Sequence, residues 1–367
     1  MCNRLHDTLF DGCANKQEAF VKATIKHVAE LAHVHPSTVS RVFSGRAKIS
    51  EVTRQRVMAA ASQLNFHPNA IARSLTTQRA HTLGMVIPYT QEEFFVDSFF
   101  PQVMRGLADV AYRQDFRLTL VGADDPKHEP KVALQLIRSH QVDGMIVQAS
   151  RVGVDTTDVL LAEHLPFVLL GRPVEDTPEI SWIEVDARQA TREAVQHLTA
   201  LGHRRIAFLG GRPNMVVTLD RLEGYRQALE EAGLPYDERL IGYGEFRQEG
   251  GASAMRQFLA LGEDRPTGVF AANDLMAIGA MQALEEAGLS VPGDCSVVGS
   301  NDSPIAALTS PHLTSSRAPY YDLACEAAQA LIAHIESELA TPVKKLLPCE
   351  LIMRDSTAPP PHDARVT

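Results

Sequence analysis

The chain has 367 residues, 45% of them hydrophobic and 22% charged, the composition of a soluble globular protein of two or three domains. No apolar run reaches the ~18 residues of a membrane span, and residues 1–20 lack the apolar centre of a secretory signal, so the protein is expected in the cytoplasm. Five scattered cysteines without a CxxC fit free thiols in a reducing compartment. The net charge of −10 hides an asymmetry. Residues 1–80 hold 11 Lys and Arg against 5 Asp and Glu, which leaves 24 against 40 for the remainder. A basic head on an acidic body points to a polyanion at the head alone.

In chain order, Thr24 is placed to cap a first helix with Ile25, Val28, Ala29 and Ala32 on its inner face. His33-Val34-His35 interrupts the pattern, and Pro36 suits the first position of a second helix. That helix turns Val39, Val42 and Phe43 inward and Ser37, Thr38, Ser40 and Arg41 outward. Ser50 caps a third helix with Val57, Ala61 and Leu64 buried. Two short helices on a tight turn, braced by a third, form a helix-turn-helix, whose second helix enters the major groove. Lys26, Arg41, Arg46, Lys48, Arg54 and Arg56 cluster where phosphates would lie.

Beyond Thr82, short apolar runs alternate with amphipathic stretches. The runs are Leu83–Ile87, Phe116–Val121, Gly144–Val147, Phe167–Leu170, Ile183–Val185, Ile206–Leu209, Val269–Ala271 and Ser296–Val298. Helices are expected over Ser98–Arg113, Arg188–Leu201, Asp220–Ala232, Leu275–Ala287 and Tyr321–Leu339. This alternation predicts an α/β body of parallel, doubly wound sheets, and two runs of four strands predict two similar lobes. Ligands of such sheets lie beyond the carboxyl ends of the strands, where Tyr89, Gly171-Arg172, Asn273-Asp274 and Asn301-Asp302 fall. Asp274 is read as the cap of the helix beginning at Leu275, and Arg221 as opening its own helix. Trp182, the only tryptophan, is read as core, with stacking on a sugar face as the alternative. His33 and His35 are too few for a metal site, and no metal is expected. GxxxxGK[ST], GxGxxG after a strand, GxSxG and HExxH are all missing, so no enzyme is expected and no catalytic residue is assigned.

Several ordered blocks of the chain resemble the LacI/GalR (lactose-repressor) family of bacterial transcriptional regulators. They are Ala23-Thr24-Ile25-Lys26, Pro36 through Val42, Ser50 through Arg54, His67 through Leu75, and Arg354-Asp355-Ser356. The resemblance implies an all-α headpiece at 23–68 and a hinge helix and linker at 69–82. It also implies a two-lobed type I periplasmic-binding-protein-like domain for effector binding and dimerisation at 83–357, with crossovers near Asp186, Pro319 and Lys345. Residues 1–22 precede the usual family start and are expected to be disordered or untranslated, with Val21 as a start. Residues 358–367 are expected to form a disordered tail without heptads.

By family position, Pro36, Ser37 and Arg41 read bases, while Thr38 and Ser40 meet phosphate. Thr24, Lys26, Arg46, Asn69 and Ala72 join the DNA-binding set, and Leu75 is the minor-groove wedge. His33 replaces the usual turn glycine and His35 the usual serine cap. Arg221, Asn273, Asn301, Asp302 and Tyr320 are expected around the effector, with Tyr89 and Arg172 as further contacts. An amide at Asn301 departs from the usual carboxylate. The implied function is a repressor of carbohydrate-utilisation genes that binds double-stranded operator DNA as a homodimer. Its effector would be a small sugar, with no cofactor and no membrane, and a purine or nucleoside effector is the alternative.

Overall fold

The computed structural model describes residues 23–44, 49–66, 79–88, 99–123, 125–148, 151–153, 156–175, 177–337 and 341–361. The chain divides into two compact units, 1–79 and 80–367.

In the first unit, α1 (Ile25–Leu31), α2 (Pro36–Ser44) and α3 (Glu51–Gln63) pack around Val28, Ala29, Ala32, Val39, Val42, Val57, Ala60 and Ala61. Ile25, expected in this core, is 36% exposed. His33 takes the left-handed conformation at φ 50°, the backbone state for which a glycine is the usual choice. His35 does the work of a serine cap, its Nδ1 accepting from the Ser37 N–H at 3.2 Å. Ser50 caps α3, its Oγ accepting from Thr53 N–H at 3.3 Å.

The second unit is α/β, with two six-stranded sheets. The first runs in the order β11-β5-β4-β3-β1-β2 and the second β12-β10-β9-β8-β6-β7. Its first-sheet strands are β1 (Thr82–Pro88), β2 (Arg117–Ala123), β3 (Gly144–Gln148), β4 (Phe167–Leu170), β5 (Trp182–Val185) and β11 (Lys344–Leu347). The second sheet holds β6 (Ile206–Gly210), β7 (Ile241–Tyr243), β8 (Gly268–Ala271), β9 (Ser296–Asn301), β10 (Thr314–Arg317) and β12 (Glu350–Ile352). Pairing is parallel throughout except between β10 and β12. The helices between the strands are α4 (Phe99–Arg113), α5 (Glu129–Arg138), α6 (Thr156–Ala162), α7 (Ala187–Ala200), α8 (Val216–Glu231), α9 (Gln248–Leu259), α10 (Asp274–Glu286) and α11 (Tyr320–Ile335).

The orders β2-β1-β3-β4-β5 and β7-β6-β8-β9-β10 repeat one doubly wound scheme, so each lobe has a switch point and the carboxyl ends face a shared cleft. The strands do not divide into two runs of four: β5 completes the first sheet, and four further short strands extend both. Thr314-Ser315-Ser316-Arg317 and Lys344-Lys345-Leu346-Leu347 show no apolar alternation, which is why they read as loops in the sequence. The chain passes between lobes around Asp186, around Pro319, and again between β11 and β12. Lys345 lies inside β11, and the third passage follows at Pro348-Cys349. Thr82, expected in the linker, already belongs to β1.

Residues 358–361, the first four of the expected tail, are among those described, and Ala358 is bonded to the body. Ala358 N–H donates to Ser296 Oγ at 3.0 Å, and the Ala358 carbonyl accepts from the buried His203 at 2.9 Å. The expectations for residues 1–22, for 362–367, and for Arg46, Lys48, Asn69, Ala72, Leu75 and Tyr89 fall outside the described residues.

Candidate DNA-reading head and effector cleft

On the head, Ser37 and Arg41 stand one turn apart on the exposed face of α2, with Thr38, Ser40 and Pro36 half-buried beside them. Thr24 and Lys26 are exposed at the start of α1. The apolar face of α2 is fixed by Val39 and Val42, at 0% and 4% exposure, so the opposite polar face must point outward. Phe43 packs on Phe66 with ring centroids 5.8 Å apart, which ties the end of α2 to the segment after α3.

In the body, a cleft lies beyond the strand ends, the usual place for a small-molecule site in such sheets. Phe99 and Tyr320 form one wall, edge to face at 4.7 Å, and Phe246 lies in the lining opposite the first-lobe strands. The Tyr320 hydroxyl donates to Asn301 Oδ1 at 2.7 Å. Arg172 comes from the first lobe after β4, and Arg221 comes from the second turn of α8. Arg172 donates to Asp220 from Nη2 at 2.6 Å and from Nε at 3.2 Å. Arg221 is 5% exposed and has no hydrogen bond or ion pair among the described residues.

Glu184, on β5, also lines the cleft. Burial pushes its carboxyl up to about 7, while the Val185 N–H and the charges of Arg221 and Arg172 pull it back. Across the lining, Arg151 donates to Glu129 Oε1 at 3.2 Å. Burial raises the Glu129 carboxyl and the Arg151 charge opposes the rise. Gln148 Oε1 and Arg151 Nε are buried without a hydrogen-bond partner among the described residues. Unsatisfied buried groups of this kind are costly, and a polar ligand is one way of pairing them.

Residues 24–69 match the family described as bacterial regulatory proteins, lacI family, and residues 195–357 match a periplasmic binding protein-like domain. The HTH-type transcriptional regulator CelR of Thermobifida fusca is 35% identical over 91% of this chain and 98% of its own length. The HTH-type transcriptional repressor CytR of Escherichia coli is 31% identical over 94% of this chain and 98% of its own. The chain belongs to the lacI family. It is therefore a DNA-binding transcriptional regulator, in keeping with the helix-turn-helix head and two-lobed body. Among solved structures, a CelR–cellobiose complex superposes at a TM-score of 0.72 with 32% identity, over 91% of this chain and 99% of that one. A lac repressor dimer bound to operator and the anti-inducer ONPF gives 0.79 at 28%, over 92% and 99%. No helix among the described residues is long and apolar enough to cross a membrane.

For this lacI-family regulator, the cleft gathers Arg172, Arg221, Asn301 and Tyr320 but not every expected residue. Asn273 is fully buried outside the lining, its Oδ1 accepting from Met276 N–H at 2.9 Å and its Nδ2 donating to the Phe246 carbonyl at 3.0 Å. It is the cap of α10, the role expected of Asp274, and it holds a loop in which Glu245 and Phe246 both have positive φ. Asp274 instead accepts from Ser303 N–H at 2.6 Å and is bonded by the Ser315 hydroxyl. Asp302 turns away from the cleft, paired with Arg317 at 2.8 Å and Arg354 at 2.6 Å. Asn301 and Asp302 both have positive φ, and this bend sends their side chains to opposite places. Arg221 does not open its helix, because α8 begins at Val216. Trp182, 8% exposed, belongs to the first-lobe core and not to the cleft, which removes the stacking alternative.

Sequence reasoning missed Gln148, Arg151, Glu184, Glu245 and Phe246. Only Glu184 carried a signal, a lone carboxylate inside the apolar run Trp182-Ile183-Glu184-Val185.

Proposed function

We propose that this regulator is a repressor of carbohydrate-utilisation genes, released or recruited by a small neutral sugar held between the lobes. The observation that carries the sugar reading is the charge balance of the cleft. Arg151 pairs with Glu129 and Arg172 with Asp220, Glu184 and Glu245 stand in the lining beside Arg212 and Arg221, and Phe99, Phe246 and Tyr320 supply aromatic walls, so the cleft is mixed in charge and not a purely cationic cradle. Adjacent hydroxyls with apolar C–H faces suit such a lining, whereas a phosphate asks for unpaired cations and several backbone N–H groups. The complex of CelR with cellobiose supports the same ligand class. Arg172, Arg221, Asn301 and Tyr320 are the proposed effector contacts, with Tyr89 as a further candidate. No catalytic residue and no cofactor form part of this reading.

On the DNA side, Pro36, Ser37 and Arg41 are the proposed base readers, Arg41 being suited to a bidentate contact with guanine. Thr24, Lys26, Thr38, Ser40 and Arg46 supply phosphate contacts, and Asn69, Ala72 and Leu75 form the hinge. Two copies on a two-fold operator are proposed, as in the lac repressor dimer.

A thermal-shift series of sugars, sugar acids and nucleosides on the full chain, followed by operator titration with each ligand that shifts melting, tests the reading. A neutral sugar should raise the melting temperature and change operator affinity, and Arg221→Ala should abolish the response while sparing DNA binding. A nucleoside that does both while no sugar does either would replace the sugar assignment.

A further inference from the structure

We infer that Asp143 pins the chain where it enters the body from the DNA-binding head, and that this fixed point of entry sets the affinity for operator DNA. The boundary between the two units falls after Arg79, so Ala80, His81 and Thr82 are the first residues of the body. Strand β1 begins at Thr82, and its pairing with β3 begins one residue later, at Leu83 and Gly144. The N–H groups of Ala80 and Thr82 thus lie ahead of that ladder, and the side chain of Asp143 takes its place. Its Oδ1 accepts from Ala80 N–H at 2.7 Å and its Oδ2 from Thr82 N–H at 2.9 Å. Asp143 N–H donates in return to the Thr82 carbonyl at 2.8 Å.

The opposite edge of the entering segment is held as well. Arg117 N–H donates to the His81 carbonyl at 2.8 Å, and the His81 ring lies against Phe116 with centroids 5.4 Å apart. His81 has φ 50°, a left-handed state that a residue with a side chain keeps only where its surroundings fix it.

Asp143 is itself rigidly placed. Val142 before it is 3% exposed. A Cβ on Gly144 after it would meet Leu331 Cδ1 of α11 at 2.8 Å and the Pro166 carbonyl at 3.0 Å, so this turn is packed to the backbone. Both carboxylate oxygens are engaged by the entering chain, through charge-assisted bonds about twice as strong as neutral ones. Asp143 is therefore a positioning residue for the linker. A linker that starts from a fixed point confines the head to a smaller volume. On the two-fold operator proposed above, on which the affinity effect rests, two heads must meet half-sites at a set spacing. Confinement then raises the effective concentration of the second head once the first is bound. A single half-site takes one head and gains nothing.

Trypsin cleavage of the full chain, with titration of a palindromic duplex that the parent selects from a random pool and of its single half-site, tests the inference. Asp143→Ala should be cut between Arg79 and Ala80 at least ~tenfold faster, because the local opening that exposes the bond no longer breaks the Asp143 contacts. Cleavage elsewhere in the body should keep the parent's rate, which separates a released linker from a weakened fold. The same variant should bind the palindrome about tenfold more weakly and the half-site as the parent does. Asp143→Asn keeps one acceptor oxygen and should fall between the two, and it replaces the alanine variant if that one does not fold. An unchanged rate at Arg79–Ala80 overturns the pin, and equal losses on both duplexes overturn its role in operator affinity. A parent that binds the half-site as tightly as the palindrome overturns the paired-head reading and the affinity effect with it, while faster cleavage in the variant would still establish the pin.

Discussion

Asp220 of the second lobe accepts two hydrogen bonds from Arg172 of the first, at 2.6 and 3.2 Å, and a third from Arg188 of its own lobe at 3.0 Å. One carboxylate therefore joins the lobes through an arginine from each side. Loss of its charge leaves two guanidinium groups facing each other without a counterion. A charge-assisted bond of this kind contributes about 1.5–3 kcal/mol when well formed, and less where solvent screens it. Asp220→Asn is expected to weaken effector binding about tenfold and to widen the solution envelope in small-angle scattering. Unchanged affinity and an unchanged envelope would remove Asp220 from the closure of the cleft.

The cap of α2 is unusual and separable. His35 Nδ1 accepts from Ser37 N–H, the bond a serine would supply at the same place. Loss of a cap costs about 1 kcal/mol of helix stability. His35→Ala should lower operator affinity and speed amide exchange at the start of α2, and His35→Ser should restore both. If His35→Ser fails while His35→Ala is harmless, the imidazole is not the cap.

The two lobes were legible in the sequence because buried parallel strands leave short, continuous apolar runs. Leu83–Ile87 and Ile206–Leu209 fall wholly within observed strands. Strands such as Glu350–Ile352 were hidden, since their place is set by pairing with a distant partner and not by their own residues. The site divided along the same line. Arg221 and Tyr320 were expected beside the cleft from the family resemblance, and both line it. Asn273 and Asp302 lie outside the lining, and an amide or acid after a strand serves equally as a cap, a loop tie or a ligand. Only the neighbours, the Phe246 carbonyl for one and Arg317 and Arg354 for the other, decide between those roles.

Glu184 predicts a pH effect of definite sign. Burial lifts its carboxyl from an ordinary 4.5 to about 7, so between those values the folded chain holds a proton the unfolded chain has lost. Stability from this group is present below about pH 4.5 and is lost as the pH rises through 7. Glu184→Gln keeps an acceptor for Val185 N–H and removes the titration. The variant should melt about 2–8 °C above the parent at alkaline pH and close to it near pH 4.5. A constant difference at all pH values would assign the effect to packing alone.

His203 predicts the opposite slope over nearly the same range. Its Nε2 lies 2.9 Å from the Ala358 carbonyl, which only accepts, so that nitrogen carries the proton and Nδ1 accepts from the Thr267 hydroxyl at 3.0 Å. A second proton would fall on Nδ1 and break the Thr267 bond. Burial accordingly lowers the imidazole from 6.5 to about 4. As the pH falls from 6.5 to 4 the unfolded chain takes up a proton the folded chain refuses, and stability is lost. Glu184 gains stability over the same fall, so the two contributions offset each other and the parent protein should show a shallow profile. His203→Gln, which abolishes the imidazole titration, should become relatively more stable in acid than the parent, whereas Glu184→Gln should become relatively less stable there. Melting curves of the parent and both variants from pH 4 to 8 test this, and slopes of the same sign in the two variants would contradict it.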